Sequence, residues 1–211
     1  MGKLILIEGT DCSGKETQSK LLKEKIEKDN KTCVYFSFPN YNSPTGKIVG
    51  GPYLGKEEIC KSYFTEGAVN VMPEVSCLYF AADRLYNLDT LKKLINSYDY
   101  VILDRYTFSN MAHQGSRYSD SEERFYMYQW IDKLEYWLLK LPKPDCTILL
   151  KVPAKYLNQL SEKQVAFNFQ EDIFDQDSVL KAYIELSELY NWDSIDCVSN
   201  NKMKSVEEIH E

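Results

Sequence analysis

The sequence predicts an α/β protein: a central parallel sheet of about five strands with helices on both faces, three layers in all. Three observations carry that prediction. Short apolar runs alternate with helical patterns from one end of the chain to the other. "IEGTDCSGKETQ" closes the first such run with a glycine-bearing turn that opens a helix, and a later run ends in the charged pair Asp104 and Arg105. In open sheets of this kind ligands bind at the C-terminal ends of the strands, where both charged motifs fall.

Lys3 to Glu8, "KLILIE", suits a strand buried on both faces. From Lys15 to Lys28, Leu21, Leu22 and Ile26 recur among Lys and Glu as one helical face. "TCVYFSF" is a second strand, and the Asn-, Ser-, Pro- and Gly-rich stretch from Pro39 to Leu54 a long loop. Pro73 to Ser97 has helical spacing through Val75, Leu78, Tyr79, Ala82, Leu85, Leu91, Leu94 and Ile95. "YDYVILDRY" is a strand. Glu122 to Leu141 is a helix so aromatic that it serves either as core or as a dimer face. "LPKPDCTILLKV" supplies a proline-bounded turn and a strand, Ser178 to Tyr190 a helix and "SIDCV" the last strand. With no internal repeat or linker-like composition, residues 1–211 are expected to form one domain.

Composition narrows the function. A chain of 211 residues that is 44% hydrophobic can bury a real core, and its net charge of −7, spread along the chain, argues against a nucleic-acid-coating protein. The six cysteines, Cys12, Cys33, Cys60, Cys77, Cys146 and Cys197, lack zinc-like spacing and are expected to be reduced and mostly buried. No apolar run approaches the roughly 20 residues of a membrane span, and the N-terminal segment is too short for a signal peptide. The expectation is a cytoplasmic protein whose partners are small molecules or protein.

Gly9, Gly14 and Lys15 match the phosphate-binding pattern Gly-x-x-x-x-Gly-Lys, so the expected ATP site runs over Gly9, Thr10, Asp11, Cys12, Ser13, Gly14, Lys15, Glu16 and Thr17. The glycines let successive N–H groups face one anion, and Lys15 adds a mobile positive charge. Glu16 stands where the pattern has a magnesium-binding hydroxyl. Asp104 is a carboxylate able to hold Mg2+ beside the phosphates, and Arg105 an always-charged planar donor. The plainer alternatives are a glycine turn with a solvated lysine, and an Asp104 that caps a helix and pairs with Arg105 at the surface.

Taken in order, "IEGTDCSGKETQSKLL", "FPNYNSPTG", "LYFAADR", "DRYTFSNMAHQG", "LPKPD" and "LSELYNWDSIDCV" resemble the thymidylate kinase family over almost the full chain. The resemblance implies a P-loop NTPase fold and phosphorylation of dTMP by ATP with Mg2+. It implies Lys15, Arg105 and Asp104 as catalytic residues, and Asp11, Phe38, Pro39, Phe80, Arg84, Arg105, Ser109, Asn110, His113 and Gln114 as the dTMP site. Phe80 would stack on thymine and Arg84 grip the monophosphate; Asp104 and Glu16 would hold the metal. A homodimer is implied as well.

Three departures from the family stand out. His113 replaces a frequent tyrosine, and Asn40 with Tyr41 follows "FP" where the family commonly has arginine. The loop position is Cys12, and the expected lid near 153–172 holds Lys155 and Lys163 but no arginine. Lysine supplies charge without the bidentate fork. Two alternatives follow: a deoxynucleoside kinase of the same fold, for which Arg84 would matter little, or a catalytically weak nucleotide-binding protein.

Overall fold

Residues 1–161 and 175–211 are described in the structure, a computed structural model. Five strands, β1 (Lys3–Glu8), β2 (Cys33–Ser37), β3 (Tyr100–Asp104), β4 (Cys146–Lys151) and β5 (Asp193–Asp196), form one sheet in the order β2-β3-β1-β4-β5. Every neighbouring pair is parallel. The register sets Ile7 and Ser37 beside Asp104 and Glu8 beside Leu149, so the strand ends that feed the charged motifs are level. Because β1 lies between β3 and β4, the loops after β1 and β3 open side by side.

Alternation along each strand builds two cores. Leu4 and Leu6 of β1, with Val101 and Leu103 of β3, face one layer of helices: α3 (Pro73–Tyr86), α4 (Leu88–Ser97), α5 (Thr107–Gly115), α6 (Ser121–Asp132) and α8 (Gln176–Leu189). Ile7, Ile102 and Leu150 face the other layer, α1 (Lys15–Lys28), α7 (Ala154–Ser161) and α9 (Val206–His210). A satellite core of Val49, Tyr53, Ala68 and Val71 lies against Tyr79 and Phe80 of α3.

The expected strands and the helix Lys15–Lys28 are present, and five features depart from expectation. The stretch expected to be a long loop contains α2 (Pro44–Ile48) and a π-helical turn, Val49–Tyr53. Ser43 caps α2 through the Gly46 N–H with Pro44 in its first turn, and Gly46, Gly50 and Gly51 are packing glycines; a Cβ on Gly46 would lie 1.8 Å from the Asn40 carbonyl oxygen. The helical span from Pro73 is two helices meeting at Asn87. Val75, Leu78, Ala82 and Leu85 of its periodic stripe face solvent, as do Phe125, Tyr126 and Trp137 of the aromatic helix, whereas Tyr128 and Tyr136 are core. That helix continues past Asp132 as a π segment, Lys133–Leu138. Cys33, Cys77 and Cys197 are buried but Cys12, Cys60 and Cys146 only half-buried, so the expectation of mostly buried cysteines was too strong.

Candidate active site

Three parts meet at the C-terminal end of the sheet. The first is the loop from Gly9 to Gly14. Gly9 (φ +154°) and Gly14 (φ +88°) take backbone angles that residues with side chains rarely adopt, and a Cβ on Gly9 would lie 2.8 Å from the Leu150 carbonyl oxygen. Gly14 caps α1 with no side-chain acceptor, so the start of that helix offers N–H groups and its positive dipole end to an anion. Lys15 Nζ is held over the loop by the carbonyls of Gly9 (3.0 Å) and Thr10 (2.7 Å). Thr10 Oγ1, Ser13 Oγ and Asp11 Oδ2 are buried without a hydrogen-bond partner among the described residues. Cys12 is half-buried in the same turn at φ +58°, and Thr17 is half-buried on α1.

The second part follows β3. Arg105 sits in the left-handed region at φ +60°, a conformation costing roughly 1–2 kcal/mol for a side-chain-bearing residue. Its guanidinium ion-pairs with Asp11 through Nη2, and Nη1 lies 3.1 Å from His113 Nε2. Burial, with the charges of Arg105 and Lys15, holds the His113 imidazole well below its ordinary pKa. Neutral His113 therefore accepts the Arg105 hydrogen at Nε2 and carries its own proton on Nδ1. Under this pair, buried Glu8 accepts hydrogen bonds from Ser109 Oγ (2.7 Å) and Tyr183 OH (2.9 Å). Burial pushes its carboxyl above the usual range, and those hydrogen bonds with the Arg105 and Lys15 charges pull part of that back.

Asp104 Oδ2 accepts from Tyr35 OH at 2.8 Å, while Oδ1 is buried with no hydrogen-bond partner among the described residues. Burial and the Asp104 charge push the Tyr35 phenol far up, so it stays a donor. Glu16 differs: its side chain is 52% exposed and accepts from Lys20 Nζ at 2.6 Å, one turn along α1. Among the described residues no group of three His, Cys, Asp or Glu forms a ready-made cation cage. Asp104, with a buried oxygen left over, has the donor chemistry that a hard cation takes together with phosphate oxygens and water.

The third part is a cleft of ≈ 670 Å³, its mouth included, walled by Phe38, Pro39, Tyr53, Phe80 and Tyr106. Arg84, Ser109, Asn110, His113 and Gln114 also line it, and Asp11 and Arg105 lie at the end that meets the loop. Arg84 is 3% exposed and makes a bidentate ion pair with Glu135, which is 0% exposed; its Nη1 lies 3.4 Å from the Tyr106 carbonyl oxygen. Gln114 is held by Arg117. Asn40 is turned to α3, its N–H on Asp83 and its amide on Asn87, while Tyr41 lines the cleft with Lys56 over its ring at 4.3 Å. Lys155 lies on α7 over the Tyr156 ring at 4.9 Å; Lys163 is outside the described residues.

The model of the thymidylate kinase family matches residues 7–211 of this chain. The chain belongs to the thymidylate kinase family. A probable thymidylate kinase of Saccharolobus solfataricus is 33% identical over 99% of this chain and 95% of its own length. A probable thymidylate kinase of Thermococcus kodakarensis is 33% identical over 98% and 92%, and the thymidylate kinase of Schizosaccharomyces pombe 28% over 99% and 88%. As a family member, the chain is a kinase that uses a nucleotide donor. Sequence reasoning missed several residues at its site: Tyr35, Tyr53, Tyr106, Glu135 and the specific place of Glu8. Tyr106 stood in the "DRY" motif and Tyr35 in the strand that pairs with β3, so position signalled both. Nothing in the sequence marked Glu135, whose partner is 51 residues away.

Proposed function

We propose that this chain transfers the γ-phosphoryl group of ATP to dTMP, giving dTDP for nucleotide biosynthesis. The observation that carries this reading is the junction at Arg105 and Asp11, where an anion-binding helix start meets an apolar cleft that Arg84 also lines. ATP phosphates would lie over Gly9 to Thr17 with Lys15 reaching them. Arg105, steered by Asp11 and His113, would sit between the acceptor phosphate and the transferring group, where an always-charged fork stabilises the charge that develops. The acceptor phosphate is the nucleophile, so positioning and charge are the whole task. Mg2+ would be held by Asp104, with Glu16 at the exposed rim a second, water-bridged carboxylate; it neutralises phosphate oxygens when bound.

Phe80 would offer its face to the base. Arg84 is reassigned from the role that the resemblance implied: its charge is matched by Glu135, and its charged neighbours do not include the loop. We give the monophosphate to Arg105, and the base end of the cleft to Arg84 and Asn110. Residues 1–211 act as one catalytic domain in this reading, in the cytoplasm. Among the described residues no helix is long and apolar enough to cross a membrane. We also propose a homodimer through the exposed face of α3, where Val75, Leu78, Leu85 and Tyr86 present apolar area on the side opposite buried Arg84.

The test is a coupled ADP-release assay with ATP against dTMP, dUMP, dCMP, dGMP, CMP and thymidine, with and without magnesium. Magnesium-dependent turnover highest with dTMP supports the proposal. Preference for thymidine would mean a nucleoside acceptor, and nucleotide binding without turnover a non-catalytic protein.

A further inference from the structure

The geometry points to Glu135 as a positioning residue that sets which pyrimidine the cleft accepts; the inference rests on the dTMP reading above. Glu135 belongs to the π segment after α6 and is fully enclosed. Among the described residues its side chain accepts from Arg84 Nε, from Arg84 Nη2 at 2.7 Å, from Thr107 Oγ1 at 2.9 Å and from Asn110 Nδ2 at 3.1 Å. Two of those donors, Arg84 and Asn110, line the cleft.

A carboxylate accepts at both oxygens, so it dictates which end of a neighbouring amide faces it. With its NH2 on Glu135 and, at 3.4 Å, on the Cys77 carbonyl oxygen, Asn110 keeps Oδ1 as its remaining group, and that oxygen is buried with no hydrogen-bond partner among the described residues. Arg84 likewise spends Nε and Nη2 on Glu135 and keeps Nη1, a donor that among the described residues has a single long contact, to the Tyr106 carbonyl. One buried acid therefore sets two polar groups of the cleft wall, a donor at Arg84 and an acceptor at Asn110. Thymine presents the complement, a 4-carbonyl that accepts beside an N3–H that donates. Cytosine presents the reverse, a 4-amino donor beside an N3 acceptor, and would set like against like at both contacts.

A buried ion pair is seldom the most stabilising way to fill such a site, since apolar residues of similar volume often serve as well. Its use here fits a demand for polarity rather than for stability. A polarity role also differs measurably from that of a plain structural acid. A structural role would lower all activities together, whereas a polarity role changes the ratio between two acceptors.

The experiment compares wild type, Glu135→Asp and Glu135→Gln with dTMP and dCMP at saturating ATP, with thermal melts on each. The amide that Glu135→Gln introduces offers both a donor and an acceptor, so Asn110 keeps its orientation only through the long 3.4 Å contact to the Cys77 carbonyl oxygen and is able to turn over. The dTMP-over-dCMP ratio of kcat/KM is expected to fall about tenfold or more in Glu135→Gln. The change should lie in the acceptor KM, with the ATP KM unmoved, and Glu135→Asp should restore most of the ratio. If Glu135→Gln does not fold, Arg84→Gln/Glu135→Gln removes both charges, and its dTMP-over-dCMP ratio is compared with that of Arg84→Gln alone so that the loss of the Arg84 donor cancels and the Asn110 contribution is read. A folded variant that keeps the wild-type ratio, or loses both acceptors equally, overturns the proposal. Wild type that fails to prefer dTMP overturns the dTMP reading instead, and the proposal with it.

Discussion

His113 offers a test in which the sign and size both follow from the structure. Its imidazole is held neutral by burial and by the Arg105 and Lys15 charges, so its folded pKa lies well below the unfolded value of 6.5. Between those two values the unfolded chain binds a proton that the native protein refuses. Stability is therefore present above pH 6.5 and is lost as the pH falls through that value. At pH 5.5 the unfolded imidazole is about ten to one protonated. A native state that stays neutral then loses up to RT ln 10, about 1.4 kcal/mol, relative to pH 7.5. With a urea slope of about 2–3 kcal/mol/M, the midpoint should drop about 0.5–0.7 M more in wild type than in His113→Gln, which keeps an acceptor for Arg105. The other histidine, His210, is present in both proteins and cancels in the difference. Equal pH dependence of the two midpoints would refute the half-buried, neutral His113 and the tautomer assigned to it.

Three further outcomes are expected. Arg105→Lys can reach Asp11 or serve His113 but not fork between them; kcat/KM for dTMP should fall about 10²-fold with the melting point little changed, and a loss under about fivefold would remove Arg105 from the transferring phosphoryl group. Glu16→Thr gives up only an exposed pair with Lys20, so stability should move by less than about 0.5 kcal/mol and activity by less than about tenfold, while the magnesium concentration for half-activity shifts; an unmoved magnesium titration leaves Glu16 a helix N-terminal acid and nothing more. Leu78→Glu, on the exposed face of α3 and 50% accessible as a single chain, should turn a sedimenting dimer into a monomer with its melting profile otherwise intact; a wild type already monomeric at micromolar concentration disposes of the dimer.

Legibility in the sequence tracked how local the cause was. β1, the phosphate loop and α1 were readable because strand, glycines, lysine and amphipathic helix sit in consecutive residues. Helix α5 was not, although it carries Ser109, Asn110, His113 and Gln114: eight of its nine residues are buried, so no polar face breaks the pattern into a recognisable period. The glycines of α2 and the turn after it looked like loop punctuation because their role, close approach of Asn40, Tyr41 and Ile59, belongs to distant or folded-back chain. Ser43 followed by Pro44 was the available signal, a cap with proline at the first turn.

By itself the sequence determined the layer architecture, the anion-binding loop, the family and the identity of the charged groups at the strand ends. These depend on chemistry encoded within a few residues. Only the tertiary structure decided what each charge does. Arg84 and Arg105 are indistinguishable as letters, yet one is locked against Glu135 in the cleft wall and the other steered by Asp11 and His113 at the phosphate end. Glu16 and Glu135 are both acids on helices, and one is solvated against Lys20 while the other organises the buried wall. A side chain's polarity is written in the sequence, but its field is set by which opposite charges and hydrogen-bond partners the fold brings within a few ångströms, and how much water it leaves between them.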